Sequence, residues 1–214
     1  MNAPACRPLV LACGALAGDL RAVLDISGFT PHIEVEYLPA RLHNRPDTIA
    51  PTLRPRLRAA SDARRPVFVA YADCGTGGEL DALLREFPGV ERLPGAHCYE
   101  MFAGTDQFRE LHEAELGTFY LTDFLARHFD ALVWNGLGLD RHPELRDAYF
   151  GNYRRLVLLS QAAEPDLTDL VAQARAAAAR LGLAFVHRCT GRGGLSVPVL
   201  TFVDRVQAHH APAQ

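Results

Sequence analysis

The chain contains no lysine, and all 22 of its Lys-plus-Arg positions are arginine. A pyridoxal Schiff base, an aldolase-type imine and a Walker A phosphate loop each need a lysine amine, so all three are excluded. Long apolar runs are missing too, and none approaches the ~18 residues of a membrane span. The run ahead of Cys13, Leu9 to Ala12, superficially resembles a lipoprotein cleavage box, but it holds only four apolar residues. A secretory core needs about 7–15, so this run reads as a first β-strand. There is no Cys-x-x-Cys pair. Five cysteines, an odd number, without an export signal point to thiols or ligands in a cytoplasmic protein rather than a disulfide framework. The net charge of −3 gives no reason to expect a nucleic acid or a membrane as partner. The basic stretch from Arg54 to Arg65 reads as the solvated face of a helix.

What is present is an alternation of strand-like and helix-like segments, the pattern of parallel βαβ units. With 49% hydrophobic and 22% charged residues in 214, the chain has the composition and length for one α/β domain or two small lobes. Strands are expected at Pro8–Ala12, His32–Leu38, Pro66–Tyr71 and Val90–Leu93, with helices at Leu16–Asp25, Asp47–Ala60 and Glu79–Phe87 between and after them. Past Gly104 the texture changes. The spacing from Phe108 to Trp134 predicts helix, with a break at Gly117 and a new start near Thr118, and another helix begins near Pro143. A strand at Arg155–Ser160, an Ala-rich helix at Leu167–Leu181 closed by Gly182 and a strand at Leu183–His187 follow. A Gly-rich turn then leads to a last apolar run, Val197–Val203. The expected fold is therefore α/β, with Rossmann-like parallel layers in two linked lobes. Residues 1–104 form the first, 105–204 the second and 205–214 a flexible tail.

Parallel α/β sheets bind ligands outside the carboxyl ends of their strands. In the first half those ends carry Cys13-Gly14, Leu42-His43-Asn44-Arg45-Pro46, Asp73-Cys74-Gly75-Thr76-Gly77-Gly78 and His97-Cys98-Tyr99-Glu100. A thiol or an imidazole stands at every one. Cys13, Cys74 and Cys98, with His43 or His97 as a fourth ligand, are a donor set suited to zinc, or the three thiolates to an iron–sulfur cluster with one open iron. Asp73, Glu100 and His97 are candidate proton-transfer or positioning groups beside them. A single thiolate activated by a nearby histidine is the metal-free option. Gly75 and Gly77 let the backbone approach an anion, although the stretch is not the G-x-G-x-x-G fingerprint. In the second half Thr122 and Asp140 are candidate cofactor-binding residues that equally suit helix caps. Cys6 and Cys189 stand without company.

Several of these stretches carry a resemblance. Leu11-Ala12-Cys13-Gly14-Ala15-Leu16, Leu42 to Pro46, Tyr71-Ala72-Asp73-Cys74-Gly75, Gly95 to Glu100, Gly117 to Phe124 and Gly136 to Tyr153 together resemble the domain of unknown function 1638 family. The resemblance implies no settled activity. Similar proteins tend to be encoded near corrinoid-dependent methyltransferases, which implies a one-carbon context, with a corrinoid protein or methyltransferase as partner and a corrinoid reached only through it. Three functions fit. The first is a zinc- or iron-dependent transferase or lyase acting on a small molecule in methyl-group metabolism. The second is a cofactor-independent racemase or lyase of the two-cysteine type. The third is a non-catalytic metal or corrinoid chaperone, or an accessory protein of a methyltransferase system.

Overall fold

The computed structural model describes residues 7–161 and 165–210; Cys6 and the end of the expected tail lie outside them. The contacts divide the chain into two compact units, one of residues up to Met101 together with those from Gly194 onward, the other Phe102–Gly193.

In the first unit four parallel strands, β1 (Leu9–Cys13), β2 (Glu34–Leu38), β3 (Val67–Ala70) and β4 (Glu91–Arg92), pair in the order β2-β1-β3-β4. The inner strands Leu-Val-Leu-Ala-Cys and Val-Phe-Val-Ala are buried along their whole length. A strand covered on both faces loses the polar alternation of a half-exposed one. The helices between them are α1 (Ala17–Ile26), α2 (Ile49–Asp62) and α3 (Glu79–Leu84), followed by α4 (Cys98–Ala103). In α2 the buried residues Ile49, Leu53, Leu57 and Ala60 recur at helical spacing, so one stripe faces the core; off it, half-buried Arg54 and Arg56 pair with Glu86 and Glu36, and Arg58 is exposed. The chain leaves β1 toward β2 and returns on the other side for β3. The strand order therefore reverses between β1 and β3, the place where such sheets open a crevice.

The run Val197–Val203 is part of a long helix rather than the close of the second lobe. That helix, numbered α9 in chain order, spans Gly193–His210. It extends past Asp204 into the stretch expected to be a tail, and it belongs to the first unit. Leu195, Val199, Phe202, Val203 and Val206 are buried on it, and the Phe202 ring lies 5.5 Å from that of Phe68. A Cβ on Gly194 would stand 1.7 Å from the Met101 carbonyl oxygen, so only glycine lets α9 start this close to α4.

The second unit has three parallel strands, β5 (Thr118–Thr122), β6 (Arg155–Ser160) and β7 (Ala184–Cys189), in the order β5-β6-β7. Its helices are α5 (Thr105–Ala114), α6 (Asp123–Arg127), α7 (Arg146–Phe150) and α8 (Asp166–Leu181). Leu121, Leu156 and Leu158 of the sheet share a buried cluster with Ala174, Ala177 and Leu181 of α8. The expected helix start near Thr118 is strand β5 instead. Thr-Phe-Tyr-Leu-Thr is β-branched and aromatic, and pairing with β6 decides what periodicity left ambiguous. The two sheets are separate. Among the described residues no helix is long and apolar enough to cross a membrane.

Candidate active site

Three first-unit strand ends and one connecting loop bring four expected site residues together. Cys13 is the last residue of β1, paired in register with Leu38 at the end of β2. Gly14 follows because a Cβ there would lie 2.9 Å from the Leu38 carbonyl. After β2, a single 3-10 turn at Ala40–Asn44 carries His43 back across the strand ends. The His43 Nδ1 is 3.6 Å from the Cys13 sulfur, and its Nε2 is 3.9 Å from the Cys98 sulfur. Cys74 influences the titration of His43, and Cys98 that of Cys74. All three thiols are buried and free.

The loops that hold Cys74 and Cys98 are tied to each other. The Asp73 and Cys74 amides donate to the Gly95 and Ala96 carbonyls at 3.1 and 2.8 Å, continuing the β3–β4 pairing past the strands. Cys74 adopts φ +52°, a left-handed backbone uncommon for a residue with a Cβ. Asp73 fixes the turn behind it. Its carboxylate accepts from the Thr76 hydroxyl at 2.5 Å and from the Gly77 and Gly78 amides at 3.1 and 3.0 Å. Burial opposes its charge, yet these donors and Arg92 hold its carboxyl below the usual range. The glycine-rich turn is thus filled by the protein's own carboxylate, and Gly77 already donates to Asp73. Gly75 packs at φ +83° beside Pro46. Glu100 does a similar job in the other loop, where its Oε2 accepts from the Ala96 amide at 3.0 Å.

The electrostatics follow from this packing. Burial disfavours a charged His43, but hydrogen bonds and charge from Cys13 and Cys74 outweigh it and push the imidazole up to about 10. The hydrogen bond from Cys98 is the largest influence on Cys74. Together with His43 it overcomes burial and draws that thiol down to about 5. Cys98 moves the other way, raised by donating to Cys74 and by burial. At neutral pH the cluster therefore holds a Cys74 thiolate, a His43 imidazolium and a protonated Cys98. Tyr71, buried just after β3, adds a phenol kept neutral first by burial and then by the charge of Cys13 and Cys74. In the sequence Tyr71 is only the last residue of an expected strand. Its one signal was a hydroxyl at the mouth of the most apolar strand.

The remaining expected residues sit elsewhere. His97 is exposed, its ring 6.4 Å from that of Tyr99. Thr122 caps α6, its hydroxyl accepting from the Leu125 amide at 3.4 Å, and Asp140 is exposed beside Arg141 at 3.9 Å; both belong to the second unit. Among the described residues no group of three or more His, Cys, Asp or Glu is arranged to hold a metal ion. The two His43 nitrogens face different thiols, whereas a ligand to one ion offers a single lone pair.

Two parallel sheets with interleaved helices define an α/β protein. The chain belongs to the DUF1638 family, described as a protein of unknown function, whose model matches residues 37–196. His43, Cys74 and Cys98 fall inside the match and Cys13 ahead of it. No curated protein matches the chain. Among solved structures, ornithine carbamoyltransferase from Pyrococcus furiosus is similar at 16% identity and a TM-score of 0.27. That similarity covers 86% of this chain and 54% of the other, so the chain spans about half of that protein's length.

Proposed function

We propose that this protein is an enzyme that works on a small molecule through a Cys74 thiolate, with His43 as its acid–base partner. The observation that carries the reading is the His43 imidazole, bridging buried thiols at the point where the strand order reverses. A thiolate is the nucleophilic form of cysteine, and an adjacent imidazolium both stabilises it and can protonate a leaving group. Cys98 supports the thiolate by donating to it. Tyr71, kept neutral by burial, and the Cys13 sulfur, 3.6 Å from the His43 Nδ1, complete the group.

The test is alkylation of the reduced protein by iodoacetamide across pH, read by peptide mapping. Cys74 is expected to react first, with a rate midpoint near pH 5, and His43→Gln moves that midpoint up by at least about two units. Preferential alkylation of Cys13, or a midpoint near the about 8.5 of a free thiol, would overturn the reading.

A second reading keeps the same residues. Three free thiols and an imidazole in one buried group are a soft donor set. With His43 turned to offer one nitrogen, they would suit zinc, or less readily an iron–sulfur cluster. A thiolate-rich zinc activates a thiol for methyl transfer, which fits one-carbon chemistry alongside a corrinoid protein. Elemental analysis of untagged protein separates the two readings. About one zinc per chain, lost in Cys74→Ser, supports the metal, and less than about 0.2 per chain with three titratable thiols removes it.

A further inference from the structure

We infer that Cys74 and Cys98 form a reversible disulfide on reaction with a hydroperoxide, making the site a two-electron redox centre. The inference rests on the thiolate reading and adds an oxidative partner reaction that this reading does not require.

The pairing follows from how the three thiols are held. Cys74 and Cys98 lie on adjacent loops joined by the Asp73–Gly95 and Cys74–Ala96 hydrogen bonds, and both thiols are buried and free. Neither residue is inside a strand: Cys74 follows β3 in a turn and Cys98 opens the short helix α4. Cys13 is placed differently. It is held in strand β1, paired with β2, and the His43 ring stands between it and Cys98, one nitrogen toward each. A peroxide-oxidised Cys74 would therefore meet Cys98 first. Cys189 is in the second unit, at the end of β7.

The chemistry balances in two steps. The Cys74 thiolate attacks the distal oxygen of the hydroperoxide and breaks the O–O bond. The sulfur becomes a sulfenic acid, and the peroxide, reduced by two electrons, leaves as an alcohol (or water) after taking a proton from His43. The Cys98 sulfur then attacks the Cys74 sulfur, forming the S–S bond. The sulfenic oxygen leaves as water with the Cys98 proton. Two thiols have lost two hydrogens, and a dithiol reductant restores them.

The experiment treats the reduced protein with one equivalent of hydrogen peroxide, then maps peptides without reduction. The expected result is a Cys74–Cys98 linked peptide, loss of two hydrogens from the intact mass and full reversal by dithiothreitol. Cys13→Ser should form the same link. Cys98→Ser should stop at a Cys74 sulfenic acid that dimedone traps. Oxidation that links Cys13 instead, or that gives sulfinic acid at Cys74 in the unaltered protein, would overturn the inference. Iodoacetamide alkylation of the same reduced sample reports separately on the thiolate, so fast Cys74 alkylation without a 74–98 link sinks the redox proposal alone.

Discussion

Cys74 combines a left-handed backbone, φ +52°, with a thiol held as thiolate by its neighbours. For a residue with a Cβ that backbone costs roughly 1–2 kcal/mol, and the turn closed by Asp73 maintains it. Cys74→Gly should accordingly be more stable than Cys74→Ala by about 1 kcal/mol in urea unfolding, although both lose the reactive thiol. Asp73→Asn removes charge from an acceptor of three hydrogen bonds. The expected loss is about 1–2 kcal/mol, measured the same way. The ion pair also sets a pH dependence. His43, raised to about 10, contributes stability that is full below its ordinary value near 6.5 and lost as pH rises through about 10. Cys74, lowered to about 5, contributes stability present above its ordinary value and lost as pH falls through about 5. The two together favour the middle of that window. Thermal melting across pH should show a plateau there. His43→Gln should abolish the loss of stability toward pH 10 and leave part of the loss toward pH 5, because Cys98 still supports Cys74. Equal pH profiles for the two proteins would contradict it.

At the scale of elements, the contact between α9 and α4 is the most exposed to a single change. Alanine on a helix is ordinarily about 1 kcal/mol better than glycine. At Gly194 the added carbon would overlap the Met101 carbonyl at 1.7 Å, so the sign reverses. Gly194→Ala should destabilise the protein by about 2 kcal/mol or more in denaturant unfolding. Because Cys98 opens α4, the same variant should raise the midpoint of Cys74 alkylation. By contrast, the exposed Arg205–Glu91 ion pair on α9 should matter by less than about 1 kcal/mol when Arg205 is replaced. Element boundaries were mostly legible because burial on both faces writes an uninterrupted apolar run into an inner strand. β5 was not legible, since its five residues satisfy a helical and a strand pattern alike until β6 is there to pair with it.

For the whole molecule, the first unit is discontinuous: the chain leaves it after Met101 and returns at Gly194. α9 covers core residues such as Phe68, so truncation before Gly193 should expose the β3 face. Amide exchange in β1 and β3 should then rise far more than in β5 and β6. Uniform exchange across both sheets would argue against a discontinuous unit.

The sequence by itself determined the α/β class, the positions of the inner strands and the presence of a thiol or imidazole at each strand end of the first half. These are local properties, written in apolar runs and in the residues that follow them. Only the tertiary structure decided which imidazole joins the thiols. His43 and His97 both follow strands, and nothing local distinguishes the one that a 3-10 turn folds inward from the one left exposed. It also showed Asp73 and Glu100 as the acceptors that shape the two cysteine loops. The thiols gather because strand order reverses between β1 and β3, and strand order depends on long-range pairing that no single stretch of sequence encodes.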